Sequence, residues 1–195
     1  MNKEELLRLI QEGESLHLEF KSDREPLPDD ALIEAVICLA NYKGGYLLVG
    51  VEDHGEITGL HKKHQSTPGS LAGFIASRTV PPLSVGVDFI DVSEKKVAVV
   101  HVPPARQVVA TSDGKLITRF VDAHGKPGCR PLYPHELINW QAERGNIDPS
   151  ALPVVGTTWF DLDPLEFTRL RRLVTENHGD PVILDLSDLD LAKAM

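Results

Sequence analysis

Apolar positions recur along this chain with two different periods. Leu6, Leu7, Leu9 and Ile10 form a helical stripe that follows a plausible helix start at Asn2 and Glu5 and ends near Gly13. Residues 16–21 then alternate. Leu16, Leu18 and Phe20 fall on one face, and His17, Glu19 and Lys21 on the other, which predicts a half-buried strand with a polar side. Pro26 and Pro28 mark a loop. Over residues 29–42, Leu32, Ile33, Val36, Ile37, Leu39 and Ala40 cover most of a helix circumference, so this helix is expected to pack on two sides, with Asp29 or Asp30 as its cap. Gly44 and Gly45 turn the chain into a continuous apolar run at 46–51, the pattern of a central buried strand. Residues 52–55 leave it as a turn.

Further along, the spacing predicts a helix over 65–79, strands over 84–91, 96–102 and 115–121, and a short helix over 134–141. The sum is an α+β fold, a mixed β-sheet with helices packed on it. Residues 1–143 form the domain; residues 144–195 read as a linker and the start of a C-terminal region. Within that region, 146–158 is linker-like and 164–175 has helical periodicity. The final stretch ILDLSDLDLAKAM shows no closing element, which suggests truncation or a tail that packs on a partner.

Composition narrows the setting. A chain of 195 residues can bury a core without a metal or disulfide staple. Its two cysteines are Cys38, in an apolar run, and Cys129, in a polar loop; with no C-x-x-C pair there is no zinc ribbon, and the sequence leaves a disulfide between them open. The N-terminus is too charged for a signal peptide, and no apolar run reaches membrane-span length, so a soluble, reducing, cytoplasmic setting is expected. The net charge of −9 weighs against nucleic-acid binding. However, residues 54–130 carry 10 Lys or Arg against 6 Asp or Glu. That mildly basic middle contains Lys62, Lys63, Arg78, Arg106 and Arg119.

No phosphate-binding glycine loop is present. The nearest stretch, 124–128, has Pro127 where a backbone N–H would be needed, so ATP binding is not supported. His54, His61 and His64 match no metal-ligand template. Three carboxylates carry more promise: Glu14 follows the first helix, Glu19 sits on the polar face of the first strand, and Asp53 leaves the central strand. If those strands pair, the three can converge at one sheet end, where oxygen ligands suit Mg or Mn and Lys21 shares the face of Glu19. Read from the residues alone, the bland alternative is preferred: Glu14 favours solvent, and Asp53 shapes a turn with Gly55.

The combined pattern E-S-L-H-L-E-F-K at 14–21, A-N-Y-K-G-G-Y-L-L-V-G-V-E-D-H-G at 40–55 and I-T-G-L at 57–60 resembles the Schlafen AlbA family, a DNA-binding domain type found in bacterial transcriptional regulators described as RecG-like or helicase-related. The resemblance covers about residues 1–140, and its first 60 residues are the specific part. It implies a nucleic-acid partner, DNA or structured RNA, met mainly through phosphates by Lys62, Lys63, Arg78, Arg106 and Arg119. Because some Schlafen relatives are metal-dependent endoribonucleases, it also implies Glu14, Glu19 and Asp53 as Mg or Mn ligands and catalytic groups, with Lys21 beside them. The zinc site of animal relatives has no ligand set here. A homodimer would supply the second lobe that nucleolytic relatives use. The alternative outside nucleic-acid chemistry is a structural dimerisation or regulatory module.

Overall fold

The computed structural model describes residues 1–148, 154–156 and 158–194. The chain divides into two compact units, Met1–Ile147 and Asp148–Met195.

In the first unit, α1 (Lys3–Glu12) begins with a capping box: the Asn2 side chain accepts from Glu5 N, and the Glu5 carboxylate accepts from Asn2 N. β1 (Leu18–Lys21) follows, then α2 (Asp29–Ala40) and β2 (Gly45–Val49). β1 and β2 are parallel, with Leu18 opposite Tyr46 and Lys21 opposite Val49; α2 is the crossover that a parallel pair requires. α3 (Pro68–Ser77) comes next, followed by β3 (Thr79–Val80), β4 (Gly86–Val92), β5 (Lys95–Val102), β6 (Ala110–Thr111), β7 (Ile117–Val121), β8 (Pro127–Pro131) and α4 (Leu137–Glu143). The main sheet has the order β1-β2-β5-β4, and β5 is antiparallel to both its neighbours. β3 pairs with β6, and β7 pairs with β8 as a hairpin.

Alternate residues of the central strands serve two cores. Leu47, Val49, Ala98 and Val100 face α2, whereas Leu48, Val97 and Val99 join Leu18, Phe20 and Leu6 on the α1 side. Coverage on both faces explains why 46–51 reads as a continuous apolar run. α2 is packed on two sides, as its pattern predicts. Eight of its residues are buried, and it lies against β2 and β5 as well as β6, β7 and β8. The turn before β2 needs Gly44: its φ is +74°, and a Cβ there would lie 2.6 Å from the Val102 carbonyl oxygen.

Asn41 holds the layers together. Its amide nitrogen donates to the Val109 and Ile117 carbonyls at 2.7 and 2.9 Å, and its side-chain oxygen accepts from Val109 N at 2.9 Å. Its own backbone carbonyl accepts from Trp140 Nε1 at 2.7 Å. This is the Asn of the A-N-Y-K-G-G motif, buried because every polar atom of its side chain has a backbone partner.

Several elements differ from the sequence expectation. The third helix is shorter than 65–79, because Thr67 caps it through Ser70 N. β3, β6 and β8 were not anticipated: two are only two residues long, and β8 contains two prolines and a glycine. Cys129 is therefore a strand residue rather than a loop residue, and it is disulfide-bonded to Cys38 of α2.

The second unit contains α5 (Pro164–Glu176), capped by the Asp163 side chain, and α6 (Asp188–Ala194), a helix that the sequence reading lacked. Arg171 ties the two: Nη1 lies 2.6 Å from Asp188, and Nη2 donates to the Leu186 carbonyl at 2.7 Å. Part of the expected linker, residues 149–153 and 157, lies outside the described residues. Among the described residues no helix is long and apolar enough to cross a membrane.

Candidate functional site

β1 is an edge strand, so one side of its backbone lacks a strand partner. Two of the sequence-selected side chains fill that side. Glu14 Oε1 accepts from Phe20 N at 2.9 Å, and Arg119 of β7 donates through Nη2 to the carbonyls of Leu18, at 3.2 Å, and Ser15. Arg119 Nη1 also donates to Glu19 Oε2 at 2.5 Å. The other oxygen of Glu19 pairs with Lys21 Nζ. Glu19 thus has a cation on each oxygen, with its side chain 10% exposed and that of Arg119 only 1% exposed.

This geometry corrects the reading of Arg119 as a phosphate contact. Arg119 is buried within β7, as is its neighbour Thr118, and its charge is taken up by Glu19 and two backbone carbonyls. Lys21 is likewise turned to Glu19. The carboxylates are neighbours but not a ligand set. Burial holds the Glu14 carboxyl above its ordinary range; the Phe20 N–H opposes this, the nearby charge of Glu19 adds to it, and Asp53 contributes more weakly. Asp53 is exposed in the turn after β2. Among the described residues no group of three His, Cys, Asp or Glu side chains has metal-binding geometry. A Mg or Mn ion held by Glu14, Glu19 and Asp53 together does not fit this arrangement, in which the three do not converge on one point and both Glu19 oxygens face a cation.

The other basic residues remain at the surface. Lys62 and Lys63 are exposed on a single 3-10 turn, Lys62–His64. The turn is anchored from below by Asp23, which is fully buried. Its Oδ1 accepts from Leu27 N at 2.8 Å, and its Oδ2 accepts from His61 N at 2.7 Å. His64 Nδ1 lies 2.8 Å from Oδ1, and since both oxygens already accept, Nδ1 is the donor. Neither lysine has an acidic partner among the described residues. Arg106 is exposed and also without one. Arg78, at the end of α3, lies over the Phe74 ring and 3.6 Å from Asp30. Sequence reasoning missed Asp23, whose only signal is an acidic residue just past a strand.

Residues 14–125 match the family model described as Schlafen, AlbA_2. No curated protein matches the chain. Among solved structures, the DIP2311 protein from Corynebacterium diphtheriae is similar at 22% identity with a TM-score of 0.55; the alignment covers 95% of this chain and 39% of that one. This chain therefore spans well under half of that protein, and the likeness is one of fold. A solution structure titled "N-terminal Domain of Putative ATP-dependent DNA Helicase RecG-related Protein" from Nitrosomonas europaea aligns at 23% identity with a TM-score of 0.45, covering 81% of this chain and 98% of that one.

Proposed function

The chain belongs to the Schlafen AlbA_2 family, and from that premise we propose that its first unit is a nucleic-acid-binding module that grips the phosphate backbone through the Lys62–His64 turn. The observation that carries this reading is the pinning of that turn. A fully buried carboxylate, Asp23, holds His61 and His64 in place and so presents Lys62 and Lys63 side by side to solvent. Two of its hydrogen bonds, from His61 N and the His64 ring, fix the turn that carries two lysines without acidic partners among the described residues, and so pre-organise a contact for an anionic surface. Arg106 and Arg78 are secondary contacts. Such binding is electrostatic and carries little sequence information of its own. The role within a bacterial transcriptional regulator that the sequence resemblance implies belongs to the same proposal.

The test is a salt titration of binding to labelled duplex and single-stranded DNA and RNA. Each phosphate neutralised contributes a slope of about −0.7 to −0.9 in log K against log salt. Lys62→Ala/Lys63→Ala is expected to flatten that slope by between about 1 and 2. A salt-independent affinity, or a slope unchanged in the double variant, rejects the reading.

A further inference from the structure

Beside the basic turn lies a cavity of about 180 Å³ that the phosphate contacts leave unused. Its wall is apolar, with Leu32, Val49, Leu60, Leu71 and Phe74, and its polar groups are Asp29, Lys63, His64, Ser66 and Ser70. We propose that this cavity receives one unpaired nucleobase of a strand whose phosphates lie on Lys62 and Lys63. The inference rests on the nucleic-acid reading above and adds what kind of nucleic acid the site selects.

Size comes first. Pockets for drug-sized ligands run from roughly 300 to 1,000 Å³, so this one admits a single ring system. Its apolar wall suits the faces of a base, and Phe74 supplies a ring for contact. Its polar groups suit a base edge rather than a phosphate. Asp29 is a carboxylate and repels an anion inside the cavity but accepts from a base N–H. His64 donates Nδ1–H to Asp23, which leaves Nε2, with no partner among the described residues, to meet a base edge as an acceptor in the neutral ring or as a donor in the protonated one. Ser66 and Ser70 each both donate and accept.

Lys63 is one of the lining residues and Lys62 is its neighbour in the turn, while Arg78 lies over the ring of Phe74, another lining residue, with its guanidinium carbon 5.8 Å from the centroid. Positive charge next to an apolar slot suits a nucleotide whose phosphate stays outside while its base enters. A regular duplex keeps its bases stacked and paired, so the site favours single strands, loops or extruded bases.

The experiment compares short single-stranded oligonucleotides with chains of equal length whose central nucleotides are abasic, so that charge is constant. Anisotropy should show the base-bearing strand binding at least about fivefold tighter, the low end of base stacking. Ser70→Phe, which fills the cavity from an exposed helix position, should abolish that difference while leaving abasic binding unchanged. Circular dichroism establishes that the variant is folded, and Ser66→Phe repeats the test from the loop side. Equal affinity for both strands, still lost in Lys62→Ala/Lys63→Ala, overturns the base pocket and leaves the phosphate contact standing. Binding that ignores the lysines, or no binding to any oligonucleotide, overturns both.

Discussion

Replacing Arg119 with methionine should be among the most damaging single changes in the first unit. The side chain is 1% exposed and donates at 2.5 Å to a Glu19 carboxylate that is itself 10% exposed. Its other terminal nitrogen serves the Leu18 and Ser15 carbonyls on the open edge of β1. Methionine fills much of the volume but leaves one carboxylate oxygen without its donor and takes the second donor from the Leu18 and Ser15 carbonyls, which keep their bonds from Ser15 N and Leu18 N. Losing one partner of a buried ion pair costs about 3–5 kcal/mol. Lys21 stays on the other Glu19 oxygen and, being 30% exposed, limits the damage toward the lower end of that range. Urea denaturation followed through Trp140, in a Trp159→Phe background, measures the loss at unchanged m-value. Arg119→Met/Glu19→Met should be less damaged than Arg119→Met alone, because the uncompensated charge is gone. A loss below about 1 kcal/mol, the level of exposed ion pairs, would refute the placement of Arg119 as a buried clamp.

Glu14→Gln tests the second half of the same edge. Burial raises the Glu14 carboxyl in the folded state, so the unfolded chain gives up its proton first and stability falls as pH rises through the folded value. The glutamine still accepts from Phe20 N but carries no charge; its stability relative to the parent should therefore grow between pH 4 and 8, and a constant gap in thermal melts would contradict this. Glu136 behaves in the opposite sense. Its hydrogen bonds from Arg130, and then from Tyr133 N, lower its carboxyl to about 2. The associated stability is present above the unfolded value of 4.5 and is lost as pH falls through about 2. In Arg130→Gln, the carboxyl ¹³C titration of Glu136 should move up toward the ordinary range, and an unmoved curve would remove Arg130 as the cause. Reducing the Cys38–Cys129 disulfide, whose cysteines are 91 residues apart, should destabilise the first unit by about 4–5 kcal/mol on the chain-entropy estimate. Denaturation with and without a dithiol measures it; free thiols in the untreated protein would show the bond absent.

What could be read in advance was the side of each element that faces the core. Period-2 alternation placed Leu18 and Phe20 opposite Glu19 and Lys21, and the structure keeps that division. The circumference of α2 announced two-sided packing because a helix with no polar stripe must be covered all round. Partners were another matter. Arg119 and Glu19 are 100 residues apart, and their meeting depends on where the β7–β8 hairpin docks, which no local period encodes. β8, with Pro127, Gly128 and Pro131, has the composition of a loop and is a strand only because β7 offers it a partner.

The carboxylates make the point most sharply. Glu14, Glu19 and Asp53 were an ordinary set by spacing and became a candidate site through the family resemblance, yet Glu19 is paired with a cation on each oxygen and Glu14 accepts from a backbone N–H. Asp23 stood out in no pattern, and it is the acidic residue with the most organised surroundings, fully buried under two backbone donors and a histidine. The difference is one of accounting for donors. A carboxylate is free to take a ligand only to the extent that the fold has not already satisfied its oxygens, and burial makes that satisfaction compulsory. Spacing in sequence reports which face a residue shares; it does not report which donors arrive from elsewhere in the chain. By the same accounting, Lys62, Lys63 and the outer nitrogen of His64 are among the groups without a partner among the described residues, and they are where the proposed strand would meet this fold.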